Sequence, residues 1–170
     1  MANELKIQKQ ALLSEANARE PRMAAGKRFI LIASCVWVAS RLLFVVVETT
    51  FALSRDIALT SCALNYVGLA VAILFAFGLY HGVKPLAILA LAGGGWSILQ
   101  AAQNDPIGAF SGDAFARFYT ATLLVSLLVQ VGIMLWVLLN AGCKVYFAEI
   151  AKINKTITAL ARANKNPPRM

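Results

Sequence analysis

The stretch FILIASCVWVASRLLFVVVETTFAL, residues 29–53, decides the fold. A helix rises 1.5 Å per residue, so about 20 mostly apolar residues are enough to cross a hydrocarbon core of about 30 Å. The stretch ends without a small-residue cleavage pattern, which is typical of a retained span and not of a signal peptide. We therefore predict a first transmembrane helix here, with Arg41 and Glu48 inside it.

The composition of the whole chain agrees with a membrane protein. Its 170 residues are 59% hydrophobic and 14% charged, with a mean hydropathy of +0.69. A soluble domain is roughly half apolar and about a quarter charged, so the deficit is in charged residues. Four membrane helices of about 20 residues would use about half of this chain, and the remainder is too short for a second domain of ordinary size.

Three further apolar runs predict three more membrane helices, each separated from the next by polar, Gly or Pro turn residues. The predicted spans are residues 29–53, 57–80, 85–103 and 117–140. We expect an all-α four-transmembrane-helix bundle over residues 29–140. A partly helical cytoplasmic segment, residues 1–28, precedes it and is interrupted at Pro21. A cytoplasmic amphipathic helix and tail, residues 141–170, follow as a continuation of the fourth span.

The positions of the basic residues predict the orientation. Six Lys and Arg residues lie in segment 1–28 and six in segment 141–170, with Lys84 in the middle turn. Only Arg55 and Arg117 flank the spans on the opposite side. Because basic residues concentrate on the cytoplasmic side of membrane helices, we predict a multi-pass protein with both termini in the cytoplasm. A bacterial inner membrane is the expected location.

Polar side chains inside the predicted spans form a layer when their depths are compared. Arg41 and Gln130 both lie roughly 18 to 20 Å below the outer edge, whereas Asn65 and Glu48 lie roughly 7 to 12 Å deep. Ionisable residues at such depth are costly and commonly functional. The layer consists of Arg41, Glu48, Asn65, Gln130 and Gln100. The first interpretation is that it only fixes how the four helices pack, and the second is that a ligand or a partner contacts it. The third is that Glu48 reaches the outer interface.

Two details of the layer follow from spacing. Glu48 is seven residues after Arg41, on the same helix face within about 20° but roughly 10 Å further outward. A tight pair one turn apart is excluded, but the two side chains could approach along this face or bridge through water. The run Gly93-Gly94-Gly95 falls at mid-depth in the third span. Its lack of side chains predicts that a neighbouring backbone or the Arg41 side chain approaches there.

Apolar residues beyond the fourth span recur at alternating spacings of four and three, which predicts an amphipathic helix with basic side chains on its other faces. The predicted apolar face is Tyr146, Ile150, Ile153, Ile157 and Leu160, accompanied by Lys152 and Lys155. Such a helix can lie on the anionic membrane surface, pack on the N-terminal helix, or offer a seam to a partner or a second copy.

The sequence offers no catalytic, cofactor or metal motif. His81 is the one histidine, and Cys35, Cys62 and Cys143 lack metal-ligand spacing. The serines within the spans have no histidine partner, and the positive charge is explained by topology and not by nucleic-acid binding. We therefore expect neither a cofactor nor nucleic acid, and an enzyme is the less favoured class.

Three functions remain open. The first is a non-enzymatic membrane protein, an immunity or accessory subunit, that binds another protein in or beside the bilayer. The second is a small transporter or ion-conducting oligomer that uses the polar layer. The third is a small lipid-modifying membrane enzyme. Membrane lipids are expected partners in all three, together with a protein partner or further copies of the chain in the first two.

Overall fold

A computed structural model describes residues 2–56, 59–103 and 113–165. The start of the predicted second span, the loop before the predicted fourth span and the end of the tail lie outside these residues. Within them the chain forms six α-helices and no strand. The helices are α1 (Ala2–Arg19), α2 (Pro21–Ser54), α3 (Ala63–Tyr80), α4 (Pro85–Gln103), α5 (Ala114–Leu139) and α6 (Ala141–Lys165), with a 3₁₀ turn at Leu59–Cys62.

Three of the described helices, α2, α3 and α5, are long and apolar enough to cross a membrane. The all-helical membrane class is thus supported by these three. Helix α4 is also apolar, but its apolar part, Pro85–Gln100, is shorter. At 1.5 Å per residue this part is about 24 Å long, less than a hydrocarbon core of about 30 Å.

Helix α2 begins earlier than the first predicted span. It starts at Pro21, where the fixed backbone angle of proline suits the first helical position, and it continues for 34 residues to Ser54. The intervening Arg22, Lys27 and Arg28 are good helix formers, so polarity alone does not mark a helix boundary. At about 51 Å, α2 is long enough to extend well beyond the hydrocarbon core.

The expectation that the fourth span continues into the C-terminal helix is wrong. Asn140 has an extended backbone, with φ −62° and ψ 127°, and separates α5 from α6. Its side-chain oxygen accepts a hydrogen bond of 3.1 Å from the backbone N–H of Cys143, as an N-capping residue does. The chain therefore changes direction at Asn140, and α6 packs beside α1 and the first part of α2.

Helix α2 is the central element of the fold, because it packs on α3, α5 and α6. Its closest approach is to α6, where a Cβ added at Gly26 would overlap the carbonyl group of Gly142 and lie 2.9 Å from the backbone nitrogen of Cys143. Tyr146 on α6 donates a hydrogen bond to the carbonyl of Tyr80, at the end of α3. Helix α6 is thereby fixed to both α2 and the turn between α3 and α4.

Candidate functional site

Glu48 and Asn65 form a direct contact between α2 and α3. The Asn65 amide nitrogen donates a hydrogen bond of 2.6 Å to Oε1 of Glu48, which is buried at 8% exposure. The other carboxylate oxygen, Oε2, is buried and has no hydrogen-bond partner among the described residues. Polar contacts of this kind join neighbouring helices within a membrane.

Replacing Asn65 by leucine is expected to lower the free energy of unfolding by roughly 1 to 3 kcal/mol, because a buried carboxylate oxygen loses its donor. Glu48→Gln is the matched control: its side-chain carbonyl still accepts from Asn65, so we expect a loss below about 1 kcal/mol. Thermal unfolding in detergent micelles measures both. A larger loss for Glu48→Gln would contradict this view of the pair.

Gln130 joins α5 to α4. Its amide nitrogen donates a hydrogen bond of 2.7 Å to the backbone carbonyl of Ala90, and its side chain is 7% exposed. Gly94 makes room for this contact, since a Cβ there would lie 3.0 Å from the Gln130 nitrogen. A Cβ at Gly93 or Gly95 would meet nothing within 4 Å. Of the three glycines that were predicted to let a neighbour approach, Gly94 is therefore the one against which a neighbouring side chain, that of Gln130, packs.

Arg41 has no such partner. No hydrogen bond or ion pair joins its guanidinium group to any residue in the described part of the chain, Glu48 included. The glycine that faces it is Gly68 on α3, where a Cβ would lie 3.4 Å from Nη2. The predicted approach of Arg41 to the Gly93–Gly95 run is thus not a tight contact. Glu48 attracts Arg41 electrostatically, but no hydrogen bond or ion pair joins the two side chains.

Two cavities of about 340 Å³ each meet at Arg41. They lie where α3 and α4 pack only sparsely on one another, although α3 packs closely on α2 and α4 on α5. Arg41 and Ser97 line both cavities, which we name together the polar crevice. Further polar side chains that line it are those of Asn65, Gln100 and Gln130. The crevice thus contains every predicted layer residue except Glu48, which reaches it through Asn65.

Trp37 is a crevice residue that the sequence reasoning missed. It lies one helical turn before Arg41 on α2 and lines the same cavity. Its side chain is 3% exposed, and its indole N–H has no acceptor among the described residues. Trp37 could have been found from its spacing, because a residue four positions before Arg41 lies on the same face of the helix. The guanidinium group of Arg41 only donates hydrogen bonds, so the part of the crevice beside it suits an acceptor or an anion.

The opposite end of the bundle from α6 carries an aromatic cluster, also missed from the sequence. The ring of Phe51 on α2 stacks on Phe115 and Tyr119 of α5, with centroids 5.6 and 5.1 Å apart. Arg55, at the end of α2, forms an ion pair with Asp113, which caps the start of α5. Aromatic residues are typical of membrane interfaces, which was the signal available. These contacts close the bundle beside the crevice.

The apolar face predicted for the C-terminal helix packs within this chain. Tyr146, Ile150 and Ile153 are buried, Ile157 is partly buried against the same core, and Leu160 is 37% exposed. Lys152 and Lys155, the predicted basic residues, are exposed, and Lys152 forms an ion pair of 2.5 Å with Glu149. This face, for which a partner seam was one of the alternatives, is therefore largely covered within the chain by α1, α2 and the α3–α4 turn.

Burial perturbs two ionisable groups on this helix. It raises the pKa of the Cys143 thiol to about 11 and that of the Tyr146 phenol to about 12, with the neighbouring Tyr80 adding to the second shift. Burial disfavours the charged form of each group. The thiolate is the reactive form of cysteine, so Cys143 is expected to react slowly while α6 is docked.

The described residues, 2–56, 59–103 and 113–165, include no group of three or more His, Cys, Asp or Glu side chains placed to hold a metal ion. The ring of His81 contacts those of Phe77 and Tyr80. No protein-family model, no curated protein and no solved structure matches the chain. The function is therefore inferred from the geometry of the described side chains.

Proposed function

We propose that this chain is a non-enzymatic membrane protein that crosses the bilayer four times, has both termini in the cytoplasm, and binds another protein within the bilayer. Three apolar helices support the membrane location. Helix α4, with 19 residues, is the remaining span, the third in chain order; at about 28 Å it nearly matches the hydrocarbon core, and it packs closely on α5. The basic residues on either side of the spans support the orientation.

The observation that carries the binding proposal is that Arg41, in the polar crevice, forms no hydrogen bond or ion pair with any described residue. On insertion scales a charged side chain near the middle of a membrane helix costs about 2.5 to 3.5 kcal/mol unless it finds water or a partner. Glu48 and Gln130 form hydrogen bonds within the chain itself, whereas among the described residues Arg41 has only the longer-range attraction of Glu48. A carboxylate supplied by a second protein would offset this cost.

The depth of Arg41 indicates what kind of anion it binds. Lipid phosphates lie at the two surfaces of a bilayer, outside the hydrocarbon core of about 30 Å. Arg41 lies roughly 18 to 20 Å below the outer edge of its span, far from the lipid phosphates. At this depth the groups available to it are side chains on other membrane helices. The proposed partner is therefore a transmembrane helix with an Asp or Glu near its middle.

A second copy of this chain fits less well. The sequence contains eight acidic residues, of which Glu48 alone lies within the predicted spans. Glu48 is buried at 8% exposure and Asn65 donates to one of its oxygens, so a second copy could offer this carboxylate only by exposing it. A different protein is the better source of the carboxylate.

Crosslinking from inside the crevice tests the proposal. A photo-reactive residue at Ser97, which lines both cavities, is expected to capture one protein in native membranes at high yield. The same residue at Leu128, an exposed position that lines neither cavity, is the control and is expected to capture lipid. The captured protein should have an acidic residue in a membrane helix. Equal capture at both positions, or a partner without such a residue, would contradict the proposal.

Transport is the second candidate, because cavities lie on two sides of Arg41. An anion that passed from one cavity to the other would meet the same guanidinium group. Liposomes that contain the purified protein would then release a trapped anion, and Arg41→Gln would stop the release. Absence of flux from liposomes with correctly folded protein would leave partner binding as the function of the crevice.

A further inference from the structure

A separate cavity of about 290 Å³ lies at the end of the bundle where α1, α2, α6 and the α3–α4 turn meet. Its polar lining is formed by Lys9, Asn17, Lys27, His81 and the tyrosines Tyr80 and Tyr146. It shares no residue with the polar crevice. We name it the basic cavity. Its size is near the lower limit of about 300 Å³ for small-ligand pockets, enough for one small polar group.

The positive charge in the basic cavity is not neutralised by its surroundings. Lys9 and Lys27 line it, and no acidic side chain does. Lys9 forms no hydrogen bond or ion pair within the described ranges. Lys27 places its ammonium group 4.7 Å from the centre of the Tyr80 ring, a cation–π contact that orients the charge without cancelling it.

The walls of the basic cavity are held in place by the docking of α6. The Tyr146 hydroxyl donates to the Tyr80 carbonyl, and Ile150 lies against Gly82, whose φ of 85° forms the α3–α4 turn. A side chain at Gly82 would overlap Ile150, so the turn and the helix fit closely. Because these contacts involve backbone and buried side chains, the lysines face a preformed site.

The position of the basic cavity along α2 indicates the source of its ligand. Lys27 comes two residues before Phe29, where the first apolar run begins, so the cavity lies at the level of lipid headgroups on the proposed cytoplasmic side. Basic pockets between membrane helices on that side suit anionic headgroups. We infer that the basic cavity binds the phosphate group of an anionic membrane lipid. This inference rests on the proposed orientation in the membrane but not on the proposed protein partner.

Lipid binding to matched charge variants tests the inference. The double variant Lys9→Gln/Lys27→Gln removes both cavity charges, whereas Lys152→Gln/Lys155→Gln removes two exposed charges from α6 and neither lines the cavity. Native mass spectrometry of the full chain in detergent, titrated with phosphatidylglycerol, measures the affinity. We expect the cavity variant to bind about tenfold more weakly or worse, and the α6 variant and Lys9→Arg/Lys27→Arg to bind like the wild type.

Each other outcome would overturn the inference. An equal loss of phosphatidylglycerol affinity in the two glutamine variants would mean that the overall positive charge of the protein attracts the lipid. No loss of affinity in either variant would mean that the basic cavity does not bind the lipid. Phosphatidylcholine binding as tightly as phosphatidylglycerol would remove the requirement for an anionic lipid, and displacement of phosphatidylglycerol by inorganic phosphate at low concentration would assign the site to free phosphate. Slow alkylation of Cys143 in the cavity variant verifies that α6 is still docked. Failure of this test would leave the Arg41 proposal unaffected, since the two sites share no residue.

Discussion

Replacing Arg41 by leucine is expected to raise the stability of the isolated protein by roughly 1 to 3 kcal/mol and, at the same time, to abolish binding of its partner. The gain follows because the substitution removes a charge that forms no hydrogen bond or ion pair with any described residue and is only attracted by Glu48 at longer range. The loss follows because the carboxylate of the partner would then be unpaired. Thermal unfolding in detergent micelles measures the first effect, and co-purification from native membranes the second.

Gln130→Leu is the matched control for this experiment, since Gln130 lines the same crevice. It is expected to destabilise the protein by about 1 kcal/mol, because the buried carbonyl of Ala90 loses its interhelical donor. Opposite signs for the two substitutions would separate a binding residue from a packing residue. A loss of stability with Arg41→Leu as large as that with Gln130→Leu would mean that Arg41 holds the bundle together.

Replacing Gly26 by alanine is expected to destabilise the protein by roughly 2 to 3 kcal/mol or more. The new Cβ would overlap the carbonyl of Gly142, and backbone atoms cannot move aside as a flexible side chain does. The expected consequence is that α6 separates from α2, which exposes Cys143. Alkylation of Cys143 in a variant lacking Cys35 and Cys62 should therefore become fast near neutral pH, because exposure would remove the burial that raises the pKa of this thiol to about 11.

Gly132→Ala is the control for Gly26→Ala, because a Cβ at Gly132 would meet nothing within 4 Å. Alanine favours the helix over glycine, so we expect this variant to be more stable by up to about 1 kcal/mol, with Cys143 still slow to react. If Gly26→Ala left both the stability and the Cys143 reactivity unchanged, the close approach of α2 and α6 would be wrong.

Depth along a membrane helix can be calculated from sequence, and this explains which parts of the site were predictable. Counting 1.5 Å per residue gave Glu48 and Asn65 similar depths, and the two side chains are hydrogen-bonded. The same count placed Arg41 and Gln130 at the same depth in the membrane, and both side chains line the same cavity. What these residues do for function stays a prediction.

Rotation about the helix axis cannot be calculated in the same way. It depends on how neighbouring helices pack, and for that reason the predicted Gly93–Gly95 run does not receive Arg41, which instead faces Gly68. The close approach of Gly26 and Gly142 was missed for a related reason: the two glycines are far apart in sequence and become neighbours only when α6 turns back. That turn depends on the cap formed by Asn140.

The most direct test of the proposed function measures whether an acidic membrane helix associates with Arg41. The protein and a synthetic leucine-rich transmembrane peptide with a single Asp at its centre, labelled as a fluorescence energy-transfer pair, are reconstituted together in vesicles. The proposal predicts energy transfer for the Asp peptide with the wild type, and only background transfer for the matching Asn peptide or for the Arg41→Leu protein. Equal transfer for the Asp and Asn peptides, or full transfer with Arg41→Leu, would contradict it.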